Sequence, residues 1–139
     1  MDELSGSTLL DALRTCDEHG GARIGIACAR SASAKLLIES LWNEIVNGRM
    51  PGWEIGRELD GVNATLRKKV KSEYSTIEIF TPFLPQNIRG RSFHQVLYEK
   101  FLNPSFLDEL CWCERLSFGL EENLESEVLD EFLNSFKIV

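Results

Sequence analysis

RIGIACARSASAKLLIESLW, residues 23–42, changes its hydrophobic pattern halfway along, and this change decides the fold class. Ile24, Ile26 and Cys28 alternate with smaller residues, which is typical of a short buried strand. From Ser31 the apolar residues follow helical spacing instead. The helical stripe consists of Leu37, Leu41 and Ile45, with Ile38 and Trp42 beside it. A buried strand, a short loop and an amphipathic helix in this order predict an α/β fold.

The rest of the chain also contains both helix and strand patterns. Helical spacing predicts further helices over residues 6–18, 104–116 and 122–136, and strand patterns cover 53–59, 64–70, 75–82 and 93–101. Asp60-Gly61 is typical of a tight turn between two of these strands. In the helix after Asn103-Pro104, the residues expected on the buried side are Phe106, Leu107, Leu110 and Cys111. We therefore predict a single α/β domain over residues 1–139, with a central sheet of about four or five strands flanked by helices.

Composition sets the broad class of the protein. The chain has 139 residues, of which 43% are hydrophobic and 27% are charged, as expected for one soluble globular domain. No apolar run approaches the ~20 residues that span a bilayer, and the first ten residues lack the features of a signal peptide. We therefore expect a cytoplasmic location and no membrane partner.

The cysteines do not follow a metal-binding pattern. They are Cys16, Cys28, Cys111 and Cys113. Zinc sites usually show paired Cys-x-x-Cys spacing or neighbouring histidines, and the histidines here are the distant His19 and His94. We expect free and mostly buried thiols, no metal site and no cofactor.

The net charge of −7 is unevenly distributed along the chain. Residues 49–91 carry eight basic residues against five acids, a balance of +3, whereas residues 99–137 carry ten acids against three basic residues, a balance of −7. Such an asymmetry favours either a basic protein surface as partner of the acidic part or nucleic acid as partner of the basic part. The alternative for each half is an ordinary solvated surface.

Two stretches resemble a known family. ARIGIACARSASAKLLIESLW, residues 22–42, is similar to a strand and helix that follow the nucleotide-binding unit in the ATPase domain of phage large terminases. NIRGRSFHQVLYEKF, residues 87–101, resembles the part of that domain where an Arg-Gly loop leads into the strand that ends in the acidic metal-site pair. The resemblance covers residues 22–113 and implies a P-loop-type fold and a phage or prophage source.

The chain departs from this family at both sites of its chemistry. Residues 1–21 contain no Gly-Lys-Ser/Thr ending of a phosphate-binding loop, and Glu99 is followed by Lys100 where the family has a second acid. Without these groups, Mg²⁺-assisted ATP hydrolysis loses most of its stabilising charges. The resemblance therefore implies a degenerate scaffold that lacks the phosphate-binding loop, rather than a working motor.

The loop after the strand of residues 23–28 is a candidate anion site. It contains no glycine, so it differs from the GxxxxGK[ST] loops that cradle phosphates. A helix N-terminus nevertheless attracts anions through its dipole and free amides. The possible anion-binding residues are Arg30, Ser31, Ser33, Lys35, Arg89 and Arg91. The alternative is a serine that merely caps the helix.

Two further groups of residues give weaker signals. The basic run at residues 67–71 has the charge to contact nucleic-acid phosphates, together with Arg89 and Arg91, although the chain shows no known nucleic-acid-binding module. His94 and Glu99 are the pair on which an enzyme would have to be built, but a single histidine on a strand is usually structural. No catalytic residue is assigned.

The acidic segment near the C-terminus is the strongest functional feature of the sequence. Its carboxylates are Glu121, Glu122, Glu125, Glu127, Asp130 and Glu131. On the polar side of a helix they would imitate nucleic-acid phosphates and fit a basic groove of another protein. The alternative is a solvated helix face.

These observations favour a non-enzymatic interaction protein, of phage or prophage origin, that binds a host or viral protein through its acidic surface. An inhibitor of a nucleic-acid-binding enzyme is one concrete form of this hypothesis. The alternative is a nucleotide- or nucleic-acid-binding accessory protein related to a degenerate DNA-packaging ATPase. A protein partner is expected, nucleic acid is the second possibility, and the sequence leaves the oligomeric state open.

Overall fold

The computed structural model describes the backbone of residues 1–59, 63–82 and 84–117, and their side chains except at 57–59 and 85. The elements in chain order are β1 (Asp2–Glu3), α1 (Gly6–Glu18), β2 (Arg23–Ala27), α2 (Ser31–Val46), β3 (Trp53–Leu59), β4 (Asn63–Val70), β5 (Glu73–Phe80), a 3₁₀ turn (Pro85–Asn87), β6 (Gln95–Tyr98) and α3 (Pro104–Cys113). The described residues therefore form one α/β unit, as the pattern of the sequence predicts.

The described strands make one mixed sheet in the order β1-β6-β2-β5-β4-β3. The first four of these strands are parallel to one another, and β4 and β3 continue the sheet in antiparallel fashion. Because β2 lies between β5 and β6, the two strands that follow it in the parallel part of the sheet pair on opposite sides of it. The carboxyl ends of β6, β2 and β5 consequently meet at one edge, which we call the mouth of the sheet.

The sheet has six strands rather than four or five. The additional strand is β1, whose two acidic residues are both exposed and pair in parallel with Leu97 and Tyr98 of β6. Neither apolar alternation nor β-branched residues mark this pair. It is held by backbone pairing with β6 and by its neighbour Met1, whose ammonium lies 2.8 Å from the Glu114 carboxylate. Sequence patterns therefore indicate the five longer strands and miss this one.

The two faces of the sheet carry different helices. On one face α1 and α2 cover Ile24, Ile26 and Ile77, which are fully buried. On the other face α3 covers a second cluster that includes Phe80 and Phe93. The parallel strands are thus apolar on both sides, which explains why β2 has an almost continuous apolar sequence.

Gly25 allows the second cluster to pack directly on the sheet. A Cβ at this position would lie 2.7–2.9 Å from three carbons of the Phe93 ring, which is closer than van der Waals contact permits. The Phe93 ring also stacks on Phe80, with the centroids 6.1 Å apart. The glycine in the middle of a strand is therefore required by the aromatic ring above it.

Helix α3 begins as its sequence predicts, and three of the four residues expected on its buried side pack on the core. Asn103 is the N-cap, and its Oδ1 accepts a hydrogen bond of 3.0 Å from the Ser105 amide. Leu110 and Cys113 are buried, whereas Cys111 is exposed, so the prediction that Cys111 faces the core was wrong. The buried Cys113 thiol donates a hydrogen bond of 3.3 Å to the carbonyl of Ile88 on the neighbouring loop.

Two predictions concern residues outside the described part of the chain. They are the turn at Asp60-Gly61 and the helix over residues 122–136. Among the described helices, none combines the length and the apolar character needed to cross a membrane.

Candidate functional site

The candidate site is the mouth of the sheet, where β2 leads into α2. β2 ends at Ala27 and α2 begins at Ser31, so three residues connect them. A connection this short leaves no room for the eight-residue loop that wraps a phosphate in the GxxxxGK[ST] pattern. The amides at the start of α2 nevertheless point out of the mouth, as they do at any helix N-terminus.

The carboxylate of Glu99 occupies this helix N-terminus. Glu99 follows directly after β6, and its Oε2 accepts a hydrogen bond of 2.5 Å from the Ala29 amide. Its Oε1 lies 3.6 Å from Nη2 of Arg30, and Ser33 donates a side-chain hydrogen bond to the same carboxylate. The chain therefore places one of its own anions where the start of α2 is most electropositive.

The electrostatic balance at Glu99 favours its charged form. Burial of the side chain by itself raises the pKa, but the hydrogen bonds from Ser33 and the Ala29 amide, the charge of Arg30 and the Arg30 amide outweigh it. The pKa of Glu99 is therefore lower than that of a free glutamate. The carboxylate is ionised at neutral pH and remains bound to the loop.

The expectation of a capping serine was wrong. The N-cap residue of α2 is Arg30, whose side chain makes no capping hydrogen bond. Ser31 is the first helical residue and is exposed, while Ser33 is directed to Glu99. The carboxylate from a neighbouring strand replaces the local serine cap, because the pairing of β6 with β2 brings the end of β6 beside this loop.

Lys35 and Lys100 lie near the mouth without closing it. Lys35 is exposed in the second turn of α2. Lys100 follows Glu99 in the chain, and its Nζ lies 5.3 Å from the centroid of the exposed Phe101 ring. The residue after Glu99 in the sequence is therefore a lysine rather than a second carboxylate.

Arg89 and Arg91 have internal partners on the α3 side of the sheet. Nη2 of Arg89 lies 3.1 Å from the Glu109 carboxylate. Arg91 is ion-paired with Glu78 and stacks over the Phe80 ring at 4.3 Å. Both guanidinium groups thus contribute to the packing of α3 and its neighbouring loop, and their positive charges are balanced by carboxylates.

The basic run at residues 67–71 is divided between the two faces of the sheet. Lys68 binds Asp17 of α1 with a distance of 2.5 Å on the α1 side. Nε of Arg67 is 2.7 Å from the Glu54 carboxylate, and the same guanidinium lies over the Tyr74 ring. Alternation along β4 therefore separates charges that are adjacent in sequence.

His94 and Glu99 lie at opposite ends of β6. Five residues of extended chain separate them by about 16 Å, which is too far for two groups to act on one reacting bond. Nδ1 of His94 accepts a hydrogen bond of 2.9 Å from the Arg23 amide. Burial, together with the charge of Arg23 and with His19, lowers the pKa of His94 below its ordinary value. His94 is therefore a neutral acceptor that joins β6 to β2.

Three of the four cysteines are buried, as expected. They are Cys16, Cys28 and Cys113, and all four thiols are free. Burial, together with nearby acidic groups, raises the pKa of Cys16 and of Cys28 to about 12, which makes both poor nucleophiles. Within the described part of the chain, no group of three or more His, Cys, Asp or Glu side chains is arranged to hold a metal ion.

The acidic segment lies beyond the described residues. Its members are Glu121, Glu122, Glu125, Glu127, Asp130 and Glu131. The described chain ends at Ser117, next to the N-terminal end of β6, where the Leu116 amide donates a hydrogen bond of 3.1 Å to the carbonyl of Phe93.

Comparison with solved structures shows what this fold is similar to. The large terminase from a thermophilic bacteriophage matches 84% of this chain with a TM-score of 0.57 and 11% sequence identity. The match covers 30% of the terminase, so the chain spans less than a third of that protein's length. No protein-family model matches the sequence, and a search of curated proteins found no similar sequence. The resemblance to large terminases therefore holds at the level of the fold.

Proposed function

We propose that this chain is a non-enzymatic interaction protein on a terminase-like scaffold. The observation that carries the proposal is the position of Glu99. Its carboxylate binds the Ala29 amide at 2.5 Å and lies beside Arg30, at the helix N-terminus where a nucleotide phosphate would have to bind. A phosphate that binds here would have to take these hydrogen bonds from the ionised carboxylate. It would also be repelled by the nearby negative charge of Glu99.

The second observation that supports the proposal is the ion pairing of the basic residues. A nucleotide- or nucleic-acid-binding surface needs cations that are available to phosphates. Arg67, Arg89 and Arg91 each have a carboxylate partner within the chain. Pairing of this kind leaves the acidic residues as the larger source of uncompensated charge in a protein of net charge −7.

The partner that fits this charge is a protein with a basic surface. We infer that residues 121–131 provide the contact and that the partner is a host or viral protein, in the simplest case an enzyme whose basic groove normally holds nucleic acid. The fold of a phage large terminase supports a phage or prophage source for the chain, which also fits an inhibitor of a host enzyme.

A tagged pull-down from host lysate at two salt concentrations tests this proposal. We expect one protein in near-equal amount that is lost at high salt, since electrostatic contacts are screened. Replacement of Glu125, Glu127 and Glu131 by lysine should abolish its recovery. The matched control changes Glu3, Glu18 and Asp108, three exposed acids of the described body, to lysine and should retain it. Equal recovery with both triple variants would refute the acidic surface as the binding site.

The alternative function is a nucleotide- or nucleic-acid-binding accessory protein, which the terminase-like fold favours. It would use Arg30 and Lys35, both exposed at the mouth, with Arg89 and Arg91 released from their carboxylates. Binding of labelled DNA that weakens steeply with salt, and that is lost in an Arg30→Ala, Lys35→Ala variant, would establish this function in place of the first.

A further inference from the structure

A groove lies between α2 and the edge strand β3, on the face of the sheet opposite α3. It has a volume of about 310 Å³ and is lined by Ile38, Glu39, Trp42 and Ile55. Ile38 is buried at its base, while the Trp42 side chain remains 47% exposed. This volume is at the lower limit of small-molecule sites, and it suits one large apolar side chain better than a cofactor.

The strand beside the groove presents unpaired backbone groups. β3 is the last strand of the sheet, and β4 is the one described strand that pairs with it. The pairing of β3 with β4 shifts its register between Ile55 and Arg57. The segment Trp53–Ile55, before this shift, is regularly paired with β4 and lies next to the groove. Alternate amide and carbonyl groups of such an edge point away from the sheet, where they can pair with an added strand. The Trp53 amide is not among the free groups, because it donates a hydrogen bond of 3.3 Å to the carbonyl of Met50.

The charge at the groove selects among possible ligands. Glu39 is exposed on its rim and makes no ion pair or hydrogen bond with the described part of the chain. Two neighbouring acids differ from it, because Glu44 pairs with Arg49 and Glu54 pairs with Arg67, each at 2.7 Å. The groove thus combines an apolar base with one uncompensated carboxylate.

We propose that this groove binds an extended peptide segment of a partner protein by addition of a strand to β3. The peptide backbone pairs with Trp53–Ile55, and one apolar side chain enters between Trp42 and Ile55. A Lys or Arg two positions along the peptide, on the same face of the added strand, meets Glu39. This is the arrangement by which sheet edges with a neighbouring helix recognise peptides, where the backbone gives affinity and the pocket gives specificity. The surface is separate from residues 121–131, so this inference does not rest on the proposed function.

Peptides selected from a random dodecapeptide library on the full chain provide the test. The best binder is synthesised with a fluorescein label, and its affinity is measured by fluorescence anisotropy. We expect an apolar residue two positions from Lys or Arg in the selected motif. In amide NMR spectra we expect chemical-shift changes at Trp53–Ile55 and at the Trp42 indole.

Point variants distinguish peptide binding in the groove from nonspecific adsorption of the peptide to exposed apolar side chains. Trp42→Ala should abolish binding, and Glu39→Lys, an exposed change that leaves the core intact, should weaken it about tenfold. Trp112→Ala is the matched control, because Trp112 is a 79% exposed tryptophan on α3, and it should bind as the parent does. N-methylation of alternate peptide amides should also abolish binding, since the added strand loses its donors.

Other results would overturn the inference. No enriched motif, or a motif that binds Trp42→Ala equally well, would show that the groove is not a peptide site. A concentration-dependent dimer that Trp42→Ala dissociates would assign the groove to a second copy of the chain. Displacement of the labelled peptide by a synthetic peptide of residues 118–139 would assign it to the chain's own C-terminal segment.

Discussion

Glu99 is the residue on which the structure of the mouth depends. Its carboxylate connects the end of β6 to the amides of Ala29 and Arg30, directly before α2, and these two parts of the chain are far apart in sequence. A charge-assisted hydrogen bond in a half-buried position contributes more than a neutral one. The residue that would mark an acidic metal site in the family it resembles therefore has a structural role here.

Glu99→Gln removes the charge and keeps the shape of the side chain. We expect a loss of about 1 kcal/mol in the free energy of unfolding at pH 7, the difference between a charged and a neutral hydrogen bond. Urea unfolding followed by circular dichroism measures it. Glu18→Gln, at an exposed acid, is the control and should leave the free energy unchanged.

The effect of Glu99→Gln depends on pH in a defined direction. The folded-state pKa lies below the ordinary value of 4.5, so the ionised carboxylate stabilises the folded state above that pH. This contribution is lost as the pH falls through the folded-state pKa. The parent and Glu99→Gln should therefore converge in stability at acidic pH. A constant difference between them at all pH values would contradict the role of the charge.

Gly25 is the second residue whose identity the fold dictates. In Gly25→Ala the new methyl group would overlap the Phe93 ring, with Cβ at 2.7 Å from its nearest carbon. We expect a loss of about 1–3 kcal/mol, typical of an overpacked core, measured by thermal and urea unfolding. Gly6→Ala is the matched control, because no atom lies within 4 Å of a Cβ placed there. Equal stability of both variants would show that Phe93 does not pack on Gly25.

At the scale of elements, a buried hydroxyl helps to hold the C-terminal end of α1 on the sheet. Ser75 of β5 is fully buried, and its Oγ lies 3.0 Å from the carbonyl of Cys16 and 2.8 Å from that of His19. Both carbonyls belong to the C-terminal end of α1, where intrahelical donors are missing. The single hydroxyl proton is shared between them.

Ser75→Ala should loosen this end of α1. We expect a loss of about 1–3 kcal/mol, because buried carbonyls lose a donor, together with faster amide hydrogen exchange in the last turn of α1. Urea unfolding measures the first effect, and hydrogen exchange followed by mass spectrometry measures the second. Ser40→Ala, at an exposed serine of α2, should change neither. Unchanged exchange in the Ser75 variant would show that packing alone holds the helix.

The elements with long periodic patterns were predictable from sequence, and their contacts were not. The apolar spacing that predicts α1, α2 and β2 lies entirely within each of these segments, so no distant part of the chain is needed to recognise them. The closure of the mouth depends on β6 pairing with β2, and strand order is set by the packing of the whole sheet. Glu99 was recognisable as a candidate acid, but its partners at Ala29 and Arg30 follow only from that pairing.

For the whole molecule, charge and topology lead to the same interpretation. The mouth of the parallel strands is where α/β sheets usually bind ligands, and here the chain fills the helix N-terminus with its own carboxylate. Several basic residues of the middle region are paired within the fold. The proposed function therefore rests on the acidic segment of the sequence, and the proposed peptide site rests on the apolar groove at β3.

The most direct test of this account is a calorimetric titration of Mg²⁺·ATP into the full chain at neutral pH and low salt. Because an ionised Glu99 occupies the start of α2, we expect no saturable heat and no shift in the unfolding temperature of the protein. A saturable one-site isotherm, accompanied by a rise in unfolding temperature, would contradict it. That result would make the mouth a nucleotide site and the accessory-protein function the correct one.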